Sequence, residues 1–286
     1  MQTTSSGGGA YQGRRVALLT QHGKERVIAP VLEAALDCRV GRVAGYDTDL
    51  LGTFTREVPR PGTQLEAARK KARIGMGLAG LPLGLASEGS FGPDPYAGLF
   101  PWNVEMVVWI DDTLDIEVVG VSSGKANFSH LLTSNWEEVE TFARTADFPE
   151  HCLLARPQDE DDPRIRKGIA DWKTLREVFR WACGEASNGR AFLETDVRAD
   201  RNPTRMERIG QAAQDLARKL CTPCPICDAP GFQLAERVPG LPCEDCGAPT
   251  REARADIHRC VKCGHRVTVE RPEKAASAGR CDFCNP

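Results

Sequence analysis

The chain has 286 residues, of which 41% are hydrophobic and 27% are charged, and its formal net charge at pH 7 is −3. These values lie close to those of soluble globular proteins and exclude a fibrous repeat and global disorder. No uncharged apolar run reaches the roughly 18–20 residues of a membrane span, and the slightly acidic balance argues against a surface that binds polyanions in general.

The first residues are rich in Gly, Ser and Thr. They lack the basic and apolar regions of a signal peptide. This composition predicts a disordered tail over residues 1–13 and a cytoplasmic protein.

Residues 14–220 predict an α/β domain. Thr63 and Glu66 are spaced as the two members of a capping box at a helix start. Strands that alternate with helices, together with one antiparallel hairpin, are typical of a mixed sheet flanked by helices. Apolar runs and helical periodicity place strands over 15–20, 38–44 and 81–86, a hairpin over 104–110 and 115–121, and helices over 27–36, 63–79, 135–147, 169–183 and 204–219.

Two polar loops follow predicted strands, where ligands of α/β folds bind. In the first, Thr20, His22, Gly23 and Lys24 precede a helix N-terminus, a place suited to phosphate. The alternative is that Lys24 is an ordinary solvated lysine. In the second loop, Glu88 follows an apolar strand, and a carboxylate there must be solvated, paired or bound to a metal.

Four segments occur in a characteristic order within residues 15–122: Thr20-Gln-His-Gly-Lys24, Glu66-Ala-Ala-Arg-Lys-Lys71-Ala72, Gly80-Leu-Pro82 and Glu88-Gly89-Ser90. With these segments, the region resembles the inosine/xanthosine triphosphate pyrophosphatase superfamily. The resemblance implies a triphosphate held by the first loop, Mg²⁺ on Glu66 and Glu88, and a catalytic set of Glu88, Glu66 and Lys24. The whole chain also resembles an uncharacterised bacterial family with a cysteine-paired tail.

A third polar segment, residues 194–205, precedes the last helix of this domain. Its three arginines, Arg198, Arg201 and Arg205, could bind a phosphate or carboxylate group because guanidinium groups match the geometry of these anions. The alternative is a surface loop held by salt bridges to the acidic residues of the same segment.

The last 66 residues contain nine of the twelve cysteines, and eight of these form four Cys-x-x-Cys pairs. In a chain without a secretory signal, such pairs indicate thiolates on a metal, because the cytosol keeps thiols reduced. Two pairs complete one tetrahedral zinc site, so residues 221–286 predict a zinc ribbon with two structural zinc ions. The predicted ligands are Cys224, Cys227, Cys243, Cys246, Cys260, Cys263, Cys281 and Cys284.

The sequence leaves the pairing of these knuckles open. A nested arrangement joins 243/246 to 260/263 and 224/227 to 281/284, and it is slightly favoured because the two inner knuckles bracket a short hairpin candidate. A sequential arrangement joins 224/227 to 243/246 and 260/263 to 281/284. Cys221 is interpreted as a spare thiol.

The tail carries nine basic and nine acidic side chains, and only Phe232 and Phe283 are aromatic. Four-thiolate zinc sites add negative charge, and platforms for base stacking are missing. The tail is therefore interpreted as structural or protein-binding rather than as a nucleic-acid reader. Three hypotheses remain: a Mg²⁺-dependent nucleoside triphosphate pyrophosphatase or related hydrolase, a non-catalytic nucleotide-binding protein, and a protein-interaction adaptor that docks a partner through the ribbon.

Overall fold

The computed structural model describes residues 9–51 and 62–286. Within these ranges, no helix is long and apolar enough to cross a membrane. The elements in chain order are β1 (Arg15–Leu19), α1 (Glu25–Leu36), β2 (Arg39–Val43), α2 (Gln64–Ala79), β3 (Leu83–Pro93), β4 (Pro101–Asp111), β5 (Ile116–Lys125), β6 (His130–Thr133), α3 (Trp136–Thr145), β7 (Leu153–Pro157), β8 (Arg166–Ile169), α4 (Trp172–Glu185), β9 (Ala191–Thr195), α5 (Pro203–Leu220), β10 (Phe232–Pro239), β11 (Ala253–Cys260) and β12 (Arg266–Glu270).

The first sheet has the strand order β2-β1-β3-β4-β5. β1 runs parallel to β2 and β3, whereas β3, β4 and β5 form an antiparallel meander. The predicted α/β fold with a mixed sheet flanked by helices is confirmed. β3 extends to Pro93, well beyond the predicted end at residue 86, so the polar segment with Glu88 belongs to a strand rather than to a loop.

Helices cover both faces of this sheet. α1 and α5 pack on the face that bears Leu85, Val107 and Trp109. α2 packs on the opposite face against Ala86 and Val108. Neighbouring residues of one strand therefore point to different helices, because side chains alternate along a strand.

A second sheet, with the order β6-β9-β7-β8, follows the first and is antiparallel throughout. α3 and α4 both pack on the face that bears Leu153 and Leu193. The sequence predicted the two helices of this lobe but not the sheet. Its strands are only four or five residues long.

α5 shields the edge strand β5 of the first sheet. Asp215 accepts a hydrogen bond from the backbone N–H of Val121 at 2.9 Å, and Lys219 donates one to the carbonyl of Val119 at 2.7 Å. These contacts satisfy polar groups that an open edge would offer to another chain.

Tyr11 corrects the prediction of a disordered tail over residues 1–13. Its ring is 1% exposed and stacks edge-on against Trp109, with ring centroids 4.6 Å apart. The sequence around it is polar, so this single buried aromatic gave no periodic signal. Residues 1–8 of the predicted tail lie outside the described residues.

Gly120 on β5 allows the close approach of α5. A Cβ at this position would overlap the carbonyl oxygen of Ala212 and lie 2.5 Å from Cβ of Leu216. We expect Gly120→Ala to destabilise the protein by about 1–3 kcal/mol, as overpacking does. Urea unfolding measures the change, and Gly92→Ala is the control because a Cβ there meets nothing within 4 Å. Equal midpoints for both variants would contradict this packing.

Candidate active site and cysteine tetrads

The loop after β1 turns sharply before α1 begins. His22 and Gly23 have left-handed backbones with φ of 61° and 68°, a conformation that glycine adopts without steric cost. Nδ1 of His22 lies 3.3 Å from a carboxylate oxygen of Asp200. The loop therefore contacts the polar segment that precedes α5.

Five buried charged side chains lie next to this loop and are here called the charged cluster. Three are cations and two are anions, so the cluster carries an excess of positive charge. They come from four different elements, and none is more than 8% exposed. The members are Lys24, Lys71, Glu88, Glu105 and Arg205.

Glu88 on β3 forms an ion pair with Lys71 of α2. Both side chains are at most 10% exposed, so neither charge is effectively solvated. Gln64 at the start of α2 donates hydrogen bonds to the carbonyls of Glu88 and Val104, at 2.7 and 2.9 Å. The helix and the two strands are thereby joined at the point where the ion pair lies.

On the other face of the sheet, Glu105 accepts a hydrogen bond from Nε of Arg205 at 2.8 Å. Nη1 of Arg205 donates to the carbonyl of Val197 at 2.5 Å, and its guanidinium lies 5.6 Å from the ring centre of Phe91. A Cβ on Gly89 would overlap the carboxylate of Glu105 and lie 2.7 Å from Nη2 of Arg205. The pair fits only because residue 89 has no side chain.

The pKa of Lys24 is lowered to about 8, chiefly by burial and also by the nearby charges of Arg205 and Lys71, while Glu88 and Glu105 oppose the shift. The ammonium makes no hydrogen bond or ion pair with any residue of 9–51 or 62–286. The cluster thus contains a cation whose charge is incompletely compensated.

The structure brings most of the predicted phosphate loop and Glu88 to one end of the first sheet. Lys24 interacts electrostatically with Glu88, and Thr20 is 5% exposed where β1 ends. The roles predicted for Thr20, His22, Gly23, Lys24 and Glu88 stay predictions.

Glu66 lies at the start of α2. Its exposed carboxylate accepts hydrogen bonds from the backbone N–H and the hydroxyl of Thr63, at 2.7 and 3.0 Å. These bonds hold the pKa of Glu66 below its ordinary value. The predicted capping box is confirmed, and the metal-binding role that the resemblance implies for Glu66 stays a prediction.

Arg198 and Arg201 lie near the loop, although Arg198 is engaged elsewhere. Its guanidinium binds both carboxylate oxygens of Asp196, which is fully buried. Arg201 is half-exposed and lies 3.4 Å from Asp200. The structure therefore favours the salt-bridge interpretation for Arg198.

Sequence reasoning did not select Lys71 or Glu105 as site residues. Glu105 carried a usable signal, because it shares a strand face with Val107 and Trp109 and an acid on an apolar face requires a partner. Arg205 was noted as one of three arginines that could bind an anion, but its pairing with Glu105 had no signal in the sequence, since a basic residue in the first turn of a helix is ordinary.

The eight predicted cysteines form two tetrads, and their pairing corrects both arrangements considered from the sequence. The first tetrad joins knuckle 224/227 to knuckle 260/263, and the second joins 243/246 to 281/284. The knuckles therefore alternate along the chain, which is neither nested nor sequential. Cys221 belongs to neither tetrad, and its exposed thiol lies 3.6 Å from the carbonyl of Ala35.

Both tetrads have the geometry of a metal site. Sulfur atoms of opposite knuckles lie 3.7 Å apart in the first tetrad and 3.6 and 3.9 Å apart in the second. A tetrahedron with metal–sulfur bonds of about 2.3 Å has edges of about 3.8 Å. Each tetrad could hold a zinc ion.

The order β10-β11-β12 of the third sheet explains the alternation. Phe232 at the start of β10 pairs with Cys260 at the end of β11, so the knuckle before β10 meets the knuckle after β11. The 243/246 knuckle lies in the connection at the other end of this hairpin. A bridge between Cys243 and Ala276 leads the chain after β12 back to it.

Backbone N–H groups prepare thiolates in both tetrads. The pKa of Cys281 is lowered to about 7 by hydrogen bonds from the backbone of Cys284 and Phe283. Burial raises the pKa of Cys260, but bonds from the backbone of Cys263 and Lys262 outweigh it and lower the value to about 7. Thiolates are the form that zinc binds.

The alternating pairing predicts different zinc contents for two double variants. Cys227→Ser with Cys263→Ser damages only the first tetrad, so one zinc ion per chain should remain instead of two. Cys227→Ser with Cys246→Ser damages both and should leave none. Metal analysis of the purified proteins decides the matter, because nested pairing would make both variants lose both ions and sequential pairing would reverse the two results.

The comparisons with known proteins match one family. Residues 71–286 match DUF6671, described as a domain of unknown function. No curated protein and no solved structure matches the chain, so no relative supports the resemblance of residues 15–122 to the pyrophosphatase superfamily. The match includes both tetrads and every member of the charged cluster except Lys24. Because it spans well over half of the sequence, the chain belongs to the DUF6671 family, as the predicted membership in an uncharacterised family anticipated.

Proposed function

We propose that the charged cluster binds the phosphate groups of a nucleoside triphosphate and that the protein hydrolyses this ligand to release pyrophosphate. The observation that carries the proposal is the Lys24 ammonium, which is 8% exposed and has no hydrogen-bond acceptor among the described residues. A phosphate oxygen would supply that acceptor.

Electrostatics supports an anionic ligand at this position. The cluster has one more cation than anions, and Lys24 immediately precedes α1. Unbonded backbone N–H groups and the helix dipole favour negative charge at a helix N-terminus. The left-handed turn at His22 and Gly23 leaves the backbone close to the place where such a ligand would lie.

The described carboxylates do not by themselves form a Mg²⁺ site. Glu88 is paired with Lys71, Glu105 is paired with Arg205, and Glu66 completes its capping box. Mg²⁺ is commonly held by substrate phosphates together with one or two carboxylates. In the hydrolase proposal, bound phosphate would attract Lys71 and leave Glu88 to orient the attacking water.

The Glu88–Lys71 pair also favours a second candidate, a nucleotide-binding protein without catalysis. If Lys71 keeps its carboxylate partner in the bound state, the cluster would retain the phosphate group and provide no general base. Binding and turnover therefore have to be measured separately.

Binding should depend on Lys24 and on pH. Lys24→Met should weaken binding of a non-hydrolysable nucleoside triphosphate analogue by tenfold or more, since a charge-assisted hydrogen bond is lost. Wild-type affinity should fall as the pH rises through about 8, where the free ammonium loses its proton. Calorimetric titration between pH 6 and 9 measures both effects. Lys70→Met is the control, because Lys70 is exposed on the neighbouring surface.

The same variant should be more stable than the wild type at pH 7. The pKa of Lys24 is lower in the folded chain than in the unfolded chain. Below about pH 8 the folded state must therefore hold a charge that burial disfavours, at a cost of up to about 3 kcal/mol. The difference between the variants should shrink as the pH rises from 8 towards 10.5. A less stable Lys24→Met protein at pH 7 would contradict this assignment.

Glu88→Gln separates the two candidates. If Glu88 orients the attacking water, the variant should lower the rate of Mg²⁺-dependent pyrophosphate release by about 10²-fold or more, while analogue binding persists. If the wild type binds the analogue but releases no pyrophosphate from natural or deaminated triphosphates, the protein is a binder. If it binds no analogue, both candidates fail.

A further inference from the structure

A cavity of about 580 Å³ lies at the opposite end of α1 from the loop of the charged cluster, where α1 and α5 end. Its walls come from the turn before β1, the last residues of both helices and the connection around the first cysteine knuckle. None of the lining residues belongs to the charged cluster or to a tetrad. The volume falls in the range of small-ligand sites.

The cavity is electrically negative. Two helices end at it, at Leu36 and Leu220, and the carboxyl end of a helix carries about half a negative charge. α1 has no basic residue in its last turn. In the last turn of α5, Arg218 and Lys219 are both engaged by Asp215, at 2.9 and 2.7 Å.

Two carboxylates add full charges to the helix ends. Asp37 and Asp228 line the cavity, and neither makes an ion pair within residues 9–51 and 62–286. The described lining contains no Lys, Arg or His. A ligand that brings positive charge would therefore be stabilised from several directions at once.

The remaining walls contain both polar and apolar groups, and the apolar part is the larger. Tyr11 and Leu220 are buried beside the cavity, and Pro223 and Pro230 complete its rim. An inorganic cation would gain nothing from these surfaces, whereas an aliphatic chain would be removed from water. We propose that this cavity binds an organic cation, an ammonium or guanidinium group on an aliphatic stem, either as a small amine or as a lysine or arginine side chain of another protein. The proposal is independent of the nucleotide site.

The test uses the full zinc-loaded chain and two probes, agmatine and a short glycine peptide with a single arginine. NMR titration follows the backbone amides of Asp37 and Cys221 at low salt. We expect saturable shifts at these amides with agmatine and no comparable shifts with 1-pentanol, which has a similar stem without charge. Saturation by agmatine alone identifies a small-amine site, and saturation by the peptide as well extends the ligand to protein side chains.

The variant Asp37→Asn/Asp228→Asn should weaken agmatine binding about tenfold or more, because two favourable charges are lost. Both residues have left-handed backbones, with φ of 51° and 58°, which asparagine tolerates. Asp115→Asn/Asp147→Asn is the matched control: these exposed residues have φ of 53° and 56° and lie outside the cavity. No saturation at 10 mM (about the weak limit for a specific small-ligand site), equal binding of 1-pentanol, or equal effects of the two double variants would overturn the proposal.

Discussion

The buried ion pair of Arg205 with Glu105 joins the parts of this molecule. The two side chains are 3% and 0% exposed, so removing either one would leave a charge in the interior, which typically costs 3–5 kcal/mol. The pair ties β4 to the start of α5, and the bond from Arg205 to Val197 adds the segment that leaves the second sheet. α5 then runs along β5 to the first cysteine tetrad. One helix thus connects the first two sheets, the charged cluster and the first cysteine tetrad.

The first sheet could be predicted from the sequence because β1, β3, β4 and β5 contain apolar runs, and the capping box at Thr63 marked the start of α2. The extension of β3 could not be predicted. Ser, Glu and Gly after Ala86 have the composition of a loop. The strand continues because residues 87–93 pair with β4 and because Lys71 and the Glu105–Arg205 pair come from distant segments to this place. The candidate site was likewise predictable only in part. The loop at Lys24 is local in sequence and was predicted, whereas its charged neighbours come from α2, β4 and α5.

The cysteine pairs show a second limit of prediction from the sequence. Each Cys-x-x-Cys spacing predicts half of a tetrahedral site equally well, so the ligands could be predicted but not their partners. The choice is made by strand register. Phe232 lies opposite Cys260, and this places the first knuckle beside the third. The segment considered as a short hairpin forms part of the strand β11. Its partner β10 consists mostly of exposed residues, and the sequence analysis did not recognise it.

Because of this register, the first tetrad contacts α5 and the first sheet, whereas the second tetrad lies away from them. The first is attached to α5, since the N–H of Gly231 bonds to the carbonyl of Lys219 at 3.1 Å, and Val261 of the third knuckle packs against the core. A Cβ on Gly231 would lie 2.8 Å from Val118 of β5, so the knuckle and the sheet are in close contact.

The second tetrad lies at the far end of the β10–β11 hairpin and is completed by Cys281 and Cys284 near the end of the sequence. Because metal binding supplies folding free energy where the ligands lie, a zinc ion in the first tetrad would stabilise the end of α5 as well as the ribbon. A zinc ion in the second tetrad would stabilise the ribbon alone. The composition of the chain changes at residue 221, but the first tetrad packs as part of the α/β domain.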